Sequence, residues 1–214
     1  MMNNEKIAEF IKQARRVGTE RLQLCSSGNL SWRIDKDRAL VSGTGSWLPR
    51  LTDGNVVLCR ISDGQRIDGP KPSMESTFHL GVLRERKDMN VVLHFQSEYA
   101  TVISCMKDKP ANFNVVAEVP AYCGSEIAVL PYYRPGSPEL ANAVTEALKS
   151  HDTALLSKHG QVVCGKDFDD AFQKAVFFEL ACSIIVKAGK GNYLTLTEEE
   201  ILDLEVYILG KTSK

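Results

Sequence analysis

The chain has 214 residues, a length that suits one sizeable α/β domain and is short for two. It is 43% hydrophobic and 25% charged with a formal net charge of -1, so no basic excess points to nucleic acid or to an anionic membrane. Its apolar runs fall well short of a membrane span, and the start MMNNEKIAEF lacks the apolar core of a signal peptide.

Taken in chain order, the first element is amphipathic. Ile7, Phe10, Ile11, Ala14, Val17 and Leu22 fall near one face at helical spacing, so NEKIAEFIKQARRVGTERLQL predicts a helix ended by CSSGN. Two short strands follow, LSWRI and ALVS, joined by the polar turn DKDR. GTGSWLPRLTDG is a Gly/Pro loop, and NVVLCRI with QRIDG predicts a hairpin around Asp63-Gly64. After GPKP a helix is predicted from about Ser73 through Arg86, with Pro72 near its start, where it is tolerated.

The strand VVLHF leads into a short helix from about Ser97 to Cys105. SEIAVLPY is strand-like, and SPELANAVTEALKS is a helix capped by Ser137 with Pro138 at its first position. TALLS and QVVCG predict two strands flanking Lys158-His159-Gly160. A long helix begins after the cap Asp167 and ends near Gly189, and Thr197 with Glu200 has capping-box spacing for a closing helix. No repeat or linker interrupts the chain, so residues 1–214 are expected to form a single domain with helices on both faces of a central sheet. Six cysteines (Cys25, Cys59, Cys105, Cys123, Cys164, Cys182) lack C-x-x-C spacing, sit mostly in apolar stretches, and read as reduced core thiols.

Four places carry polar or glycine residues that a plain core would not select. SSGNLS, from Ser26 to Ser31, either presents N–H groups and an amide to an anion or is a helix C-cap followed by a turn. VSGTGS, from Val41 to Ser46, leaves a strand and by itself is also a turn. KPSMES, from Lys71 to Ser76, sets a Lys, a Ser and a Glu around a helix start, which suits an anion, although Glu75 is also what any first turn prefers. His79, four residues later, reads as a packed or surface helix residue rather than a ligand. The fourth place joins His94 and Gln96, on one side of a strand, to His159, beside a Gly between two strands. These are metal-ligand types, or structural histidines far apart in sequence.

In order and spacing these places resemble the class II aldolase/adducin family, and within it the L-fuculose-phosphate aldolase branch. SSGNLS matches the family's S/T-x-G-N-x-S loop, SGTG its second loop, and KPSME its K-P-S-S-[DE] segment. HFQ falls at its H-x-H pair, and KHGQVVCG at its last H-G ligand. The resemblance runs nearly end to end and implies a three-layer α/β/α domain on a mixed, largely antiparallel sheet. It implies a class II sugar-phosphate aldolase that cleaves a ketose 1-phosphate to dihydroxyacetone phosphate and an aldehyde, with a divalent metal, usually zinc, as Lewis acid stabilising the enediolate. On this reading Glu75 is the catalytic acid/base. Gly28, Asn29, Thr44, Gly45 and Ser73 bind phosphate, and His94 and His159 bind the metal. A cytoplasmic homotetramer with sites at subunit interfaces is also expected, the site being completed by a neighbour's tyrosine, with Tyr122 and Tyr207 as candidates, or by the C-terminal segment.

Two departures stand out. Met74 replaces a second phosphate-binding serine, and Gln96 replaces a metal-ligating histidine. A Gln oxygen is a neutral, weaker zinc donor than imidazole, so the resemblance implies a looser site completed by Gln96 or another group, a harder cation, or a metal-free protein. The alternatives to an aldolase are a pentulose-phosphate 4-epimerase or sugar-phosphate dehydratase on the same fold, or a non-catalytic module like the adducin heads. Glu75 favours the aldolase over the epimerases, which carry Asp there.

Overall fold

A computed structural model describes residues 4–209. The first helix, α1 (Asn4–Thr19), buries Ile7, Phe10, Ile11, Ala14 and Val17, the stripe that the spacing predicts. Leu22 lies beyond the helix yet is fully buried, because the chain folds back and Leu22 N–H donates to Val17 O at 2.9 Å.

Eight strands form one sheet: β1 (Asn29–Arg33), β2 (Arg38–Ser42), β3 (Val56–Arg60), β4 (Arg66–Asp68), β5 (Val91–Phe95), β6 (Ala128–Leu130), β7 (Thr153–Leu156) and β8 (Gly160–Gly165). Their order is β4-β3-β2-β1-β5-β8-β7-β6. Every pairing is antiparallel except the parallel β6–β7 edge. The remaining helices are α2 (Ser76–Glu85), α3 (Glu98–Cys105), α4 (Pro138–Ala147), α5 (Phe168–Ala188) and α6 (Glu198–Leu209). One face of the sheet packs Leu30, Leu40, Leu58, Leu93 and Val163 against α1 and the start of α5. The other packs Val41, Val57, Val92, Ala154 and Val162 against α2 and α4. The fold is therefore the expected α/β/α sandwich on a largely antiparallel sheet. β5 and β8 lie inside it with every residue buried, which is why their sequences run apolar without alternation.

The local signals behave as chemistry requires. Gly64 takes φ +75 in the hairpin turn between β3 and β4. Ser137 Oγ accepts from Leu140 N–H at 3.2 Å, and Thr197 and Glu200 form the reciprocal capping box, at 2.7 and 3.2 Å. All six cysteines are free, four of them buried, with Cys25 and Cys105 exposed. No helix among the described residues is long and apolar enough to cross a membrane.

The start of α2 differs from expectation. The helix begins at Ser76 rather than near Ser73, because the preceding residues are used as an extended strap. Gly43 and Pro72 form an isolated antiparallel bridge, and Thr44 N–H donates to Lys71 O and Ser73 N–H to Ser42 O, each at 3.0 Å. Pro72 also disfavours helical geometry at the residue before it. Glu75 therefore occupies the N-cap position rather than the first turn, and its side chain makes no capping hydrogen bond. That leaves the carboxylate free to turn toward the sheet.

A candidate metal centre beside two glycine loops

The sheet register assembles the site. Asn29, at the start of β1, lies opposite His94 near the end of β5. His94 lies opposite Val162 of β8, two residues after Gly160 and three after His159. Asn29 and Ser31 are two apart on one strand, so both face α2. Glu75 and His79 are four apart at the head of α2 and share a face of that helix. Three of the four histidines in the chain, His79, His94 and His159, thus converge on one buried place, together with Glu75.

Glu75 is the hub. Its Oε2 accepts from Asn29 Nδ2 at 2.9 Å and lies 3.4 Å from His94 Nε2, while Oε1 lies 3.4 Å from His159 Nε2. His94 Nδ1 is 2.9 Å from the backbone oxygen of Gln161. A carbonyl oxygen only accepts, so Nδ1 carries the hydrogen, and in the neutral imidazole Nε2 is then a lone pair aimed at the carboxylate. Glu75 Oε1 and His94 Nε2 are both buried without a hydrogen-bond partner. Burial pushes the His159 imidazole down to about 4, with the neighbouring His94 adding to the effect and Glu75 opposing it, which favours the neutral ring.

Facing lone pairs of this kind repel unless something positive sits among them. One donor atom from each of Glu75, His94 and His159 lies within 4.8 Å of the others. Two ligands on a tetrahedral zinc with bonds of about 2.1 Å stand about 3.4 Å apart, and each histidine has one Glu75 oxygen at that spacing, Oε2 for His94 and Oε1 for His159. The residues present therefore fit a divalent metal, and the Gln161 carbonyl is the outer partner that fixes the His94 tautomer.

Gly160 lets these parts close. A Cβ there would stand 2.7 Å from Phe95 O, 2.9 Å from Gln96 Cγ and 3.0 Å from His94 Cε1. The Gln96 stem and the His94 ring thus both pack against the residue that follows His159. We expect Gly160→Ala to cost on the order of 1–3 kcal/mol and to weaken metal binding, because relief of the clash moves β8 or the His94 ring. Thermal unfolding with and without Zn2+ checks this. A variant with wild-type melting temperature and wild-type zinc affinity would contradict it.

The other sequence-selected residues fall around this centre. A Cβ on Gly28 would meet His94 O at 2.8 Å, so that loop abuts the end of β5. Thr44 and Gly45 are exposed, and Gly45 takes φ +68 with open space around it. Ser73 is buried, its Oγ accepting from Glu75 N–H at 3.3 Å. The bridge at Pro72 ties the second glycine loop to the Ser73 segment, so two of the three expected phosphate elements are one unit. Met74 is 61% exposed. Tyr122 lines a cavity at the Gly165 end of β8 with Lys166 and Asp170, whereas His159 precedes the Gly160 end, and Tyr207 is 87% exposed on α6.

Sequence reasoning took His79 for a packed or surface helix residue and passed over Gln161. His79 is fully buried, and it is more than plain packing. Its Nδ1 lies 2.8 Å from Ser31 Oγ, its Nε2 is hydrogen-bonded to Asn29 Oδ1, and burial pushes its pKa down to about 3. The available signal was the i, i+4 spacing from Glu75, which no one-dimensional pattern ties to Asn29. For Gln161 the signal was a lone amide in an apolar strand. Its side chain accepts from Ser97 N–H at 3.1 Å and so anchors the turn after β5.

The family model described as "Class II Aldolase and Adducin N-terminal domain" matches residues 8–186. The chain belongs to the class II aldolase/adducin family. Among its relatives, the 3-oxo-tetronate 4-phosphate decarboxylase of Haemophilus influenzae is 33% identical over 181 residues, covering 84% of this chain and 86% of the relative. The L-fuculose phosphate aldolase of Methanococcus maripaludis is 32% identical over 173 residues, covering 81% and 92%. The crystal structure of YgbL from Escherichia coli superposes with a TM-score of 0.86 at 28% identity, covering 94% of this chain and 97% of that one. Class II membership agrees with a cluster whose donor atoms suit a metal.

Proposed function

We propose that the chain is a metal-dependent lyase that breaks a carbon–carbon bond beside the carbonyl of a small phosphorylated substrate, with zinc as the metal and dihydroxyacetone phosphate as one product. The observation that carries this reading is the Glu75–His94–His159 cluster, in which buried donor atoms face one another with no hydrogen bond between them. A divalent cation held there supplies Lewis acidity toward a substrate carbonyl and its neighbouring hydroxyl. Asn29 holds Oε2 of Glu75, which leaves Oε1 to take up or return a proton at the carbon beside the carbonyl. The backbone of Gly28 and Gly45, with Thr44, Ser73 and the second amide hydrogen of Asn29, would hold the phosphate.

Two reactions share this chemistry. Retro-aldol cleavage of a ketose 1-phosphate breaks C3–C4, leaves the electron pair on C3 as the enediolate of dihydroxyacetone phosphate, and releases an aldehyde. Loss of CO2 from a 3-oxo-tetronate 4-phosphate leaves the same enediolate. Aldol cleavage is the reading drawn from the sequence, and the identity to 3-oxo-tetronate 4-phosphate decarboxylases supports the second. Both need one proton delivered to the same carbon, and only aldol cleavage also needs a base for a departing hydroxyl proton.

Incubating the zinc-loaded protein with ketose 1-phosphates and with 3-oxo-tetronate 4-phosphate distinguishes them. Dihydroxyacetone phosphate with an aldehyde supports the aldolase, and dihydroxyacetone phosphate with CO2 supports the decarboxylase. Release from none of them, by protein that holds metal, would contradict the lyase reading. The same reading includes a cytoplasmic homotetramer. Its support in this chain is the exposed apolar surface of α6, with Leu202, Val206 and Ile208 all above one-third exposure.

A further inference from the structure

We propose that His79 is a positioning residue that acts through Asn29 to fix which oxygen of Glu75 is left to react. The inference rests on the lyase reading above and extends it to a residue that touches neither metal nor substrate.

Ser31, His79, Asn29 and Glu75 form one buried chain of hydrogen bonds with a definite polarity. An ionised carboxylate only accepts, so the group that Asn29 turns to Glu75 is its Nδ2, donating at 2.9 Å. The amide oxygen is then turned to His79, whose Nε2 must carry the hydrogen that it accepts. His79 Nδ1 is left as the lone pair and accepts the Ser31 hydroxyl hydrogen at 2.8 Å. Each link takes its direction from the carboxylate outward, and the Val92 carbonyl stands beside the His79 ring as a further acceptor. A free carboxamide has no such preference, because its two ends differ little in size and interconvert by rotation about χ2.

The backbone supports the same assignment. Glu75 and His79 sit one turn apart on α2, and Asn29 spans them from the facing strand, with Ser31 two residues further along it. His79 and Ser31 are both wholly buried, and Asn29 is 8% exposed, so water does not compete for these groups. A side chain kept only to fill the core would not need two polar atoms matched in opposite senses at full burial. Without the His79 N–H, Asn29 Oδ1 is free to swing toward Glu75, where it repels the carboxylate instead of holding Oε2.

The test uses the full chain loaded with Co2+, whose visible d–d bands report ligand geometry, and compares His79→Leu, His79→Gln and Ser31→Ala with wild type. A Gln at 79 keeps an N–H near the place of Nε2, and Leu keeps only bulk. We expect His79→Leu to weaken Co2+ binding and to lower kcat about 10- to 100-fold. The d–d envelope should change, while KM for the phosphorylated substrate should rise by much less than kcat falls, since Asn29 is one phosphate contact among several and Gly28, Thr44, Gly45 and Ser73 are untouched. His79→Gln should recover most of both losses. Ser31→Ala should move the spectrum in the same direction by less, and it carries the test if His79→Leu does not fold. The inference is overturned if folded His79→Leu keeps the wild-type spectrum, Co2+ affinity and kcat. It is also overturned if His79→Gln is as impaired as His79→Leu, or if Ser31→Ala, standing in for an unfolded Leu variant, leaves the spectrum unchanged. Wild-type protein that binds no Co2+ would instead sink the lyase reading itself.

Discussion

Replacing Glu75 by Gln is expected to lower turnover by about 10²- to 10⁴-fold, with the fold retained. Gln is nearly isosteric, so the N-cap position survives, and its amide oxygen can still accept from Asn29 Nδ2. What is lost is the proton-accepting oxygen at Oε1 and the negative charge that faces His94 and His159. The loss should fall on kcat and on kcat/KM alike, because a group that moves a proton acts in the transition state rather than in substrate binding. Metal affinity should fall as well, since a neutral oxygen replaces a charged donor. Steady-state kinetics beside a zinc titration checks both arms. Wild-type kcat in Glu75→Gln would remove Glu75 from the chemistry.

Converting Gln96 to His is expected to tighten zinc binding by on the order of 10- to 100-fold, about 1.4–2.8 kcal/mol. Gln96 follows β5 directly, its backbone N–H is held by Leu22 O at 3.1 Å, and its Cγ packs at the Gly160 position beside His159. An imidazole projecting from that backbone would meet the cluster that Glu75, His94 and His159 already form. Competition with a chromophoric chelator measures the gain. Unchanged affinity in a folded Gln96→His protein would mean that position 96 does not face the metal, and that the departure from the family's histidine pair carries no cost.

Much of this was legible in the sequence, for reasons that can be stated residue by residue. β5 could be placed because five consecutive buried residues leave an unbroken apolar run, and α4 and α5 because Ser137 and Asp167 cap them through their own side chains. Asn29, Glu75, His94 and His159 could be grouped only through the resemblance of their motifs to the class II aldolase/adducin family, and the sheet register brings these four together. The N-terminus of α2 was misplaced by three residues, because the strap that holds Ser73 extended donates to Ser42 O, a long-range partner that propensity does not encode. The role of His79 was illegible for the same reason. Its partners, Ser31 and Asn29, lie 48 and 50 positions away, and only the packing of α2 on β1 brings them within reach. The π-type turn Val119–Cys123 also had no signal, since neither alternation nor helical spacing marks residues 107–124.

The most direct test of the account bypasses the identity of the aldehyde or acid lost. Dihydroxyacetone phosphate alone, incubated in D2O with the zinc-loaded protein, passes through the enediolate whichever cleavage is native. The account predicts that one deuterium enters at the hydroxymethyl carbon, followed by NMR, and that exchange stops on chelation and in Glu75→Gln. Absence of exchange in protein that holds one zinc per chain, or exchange that persists without Glu75, would contradict it.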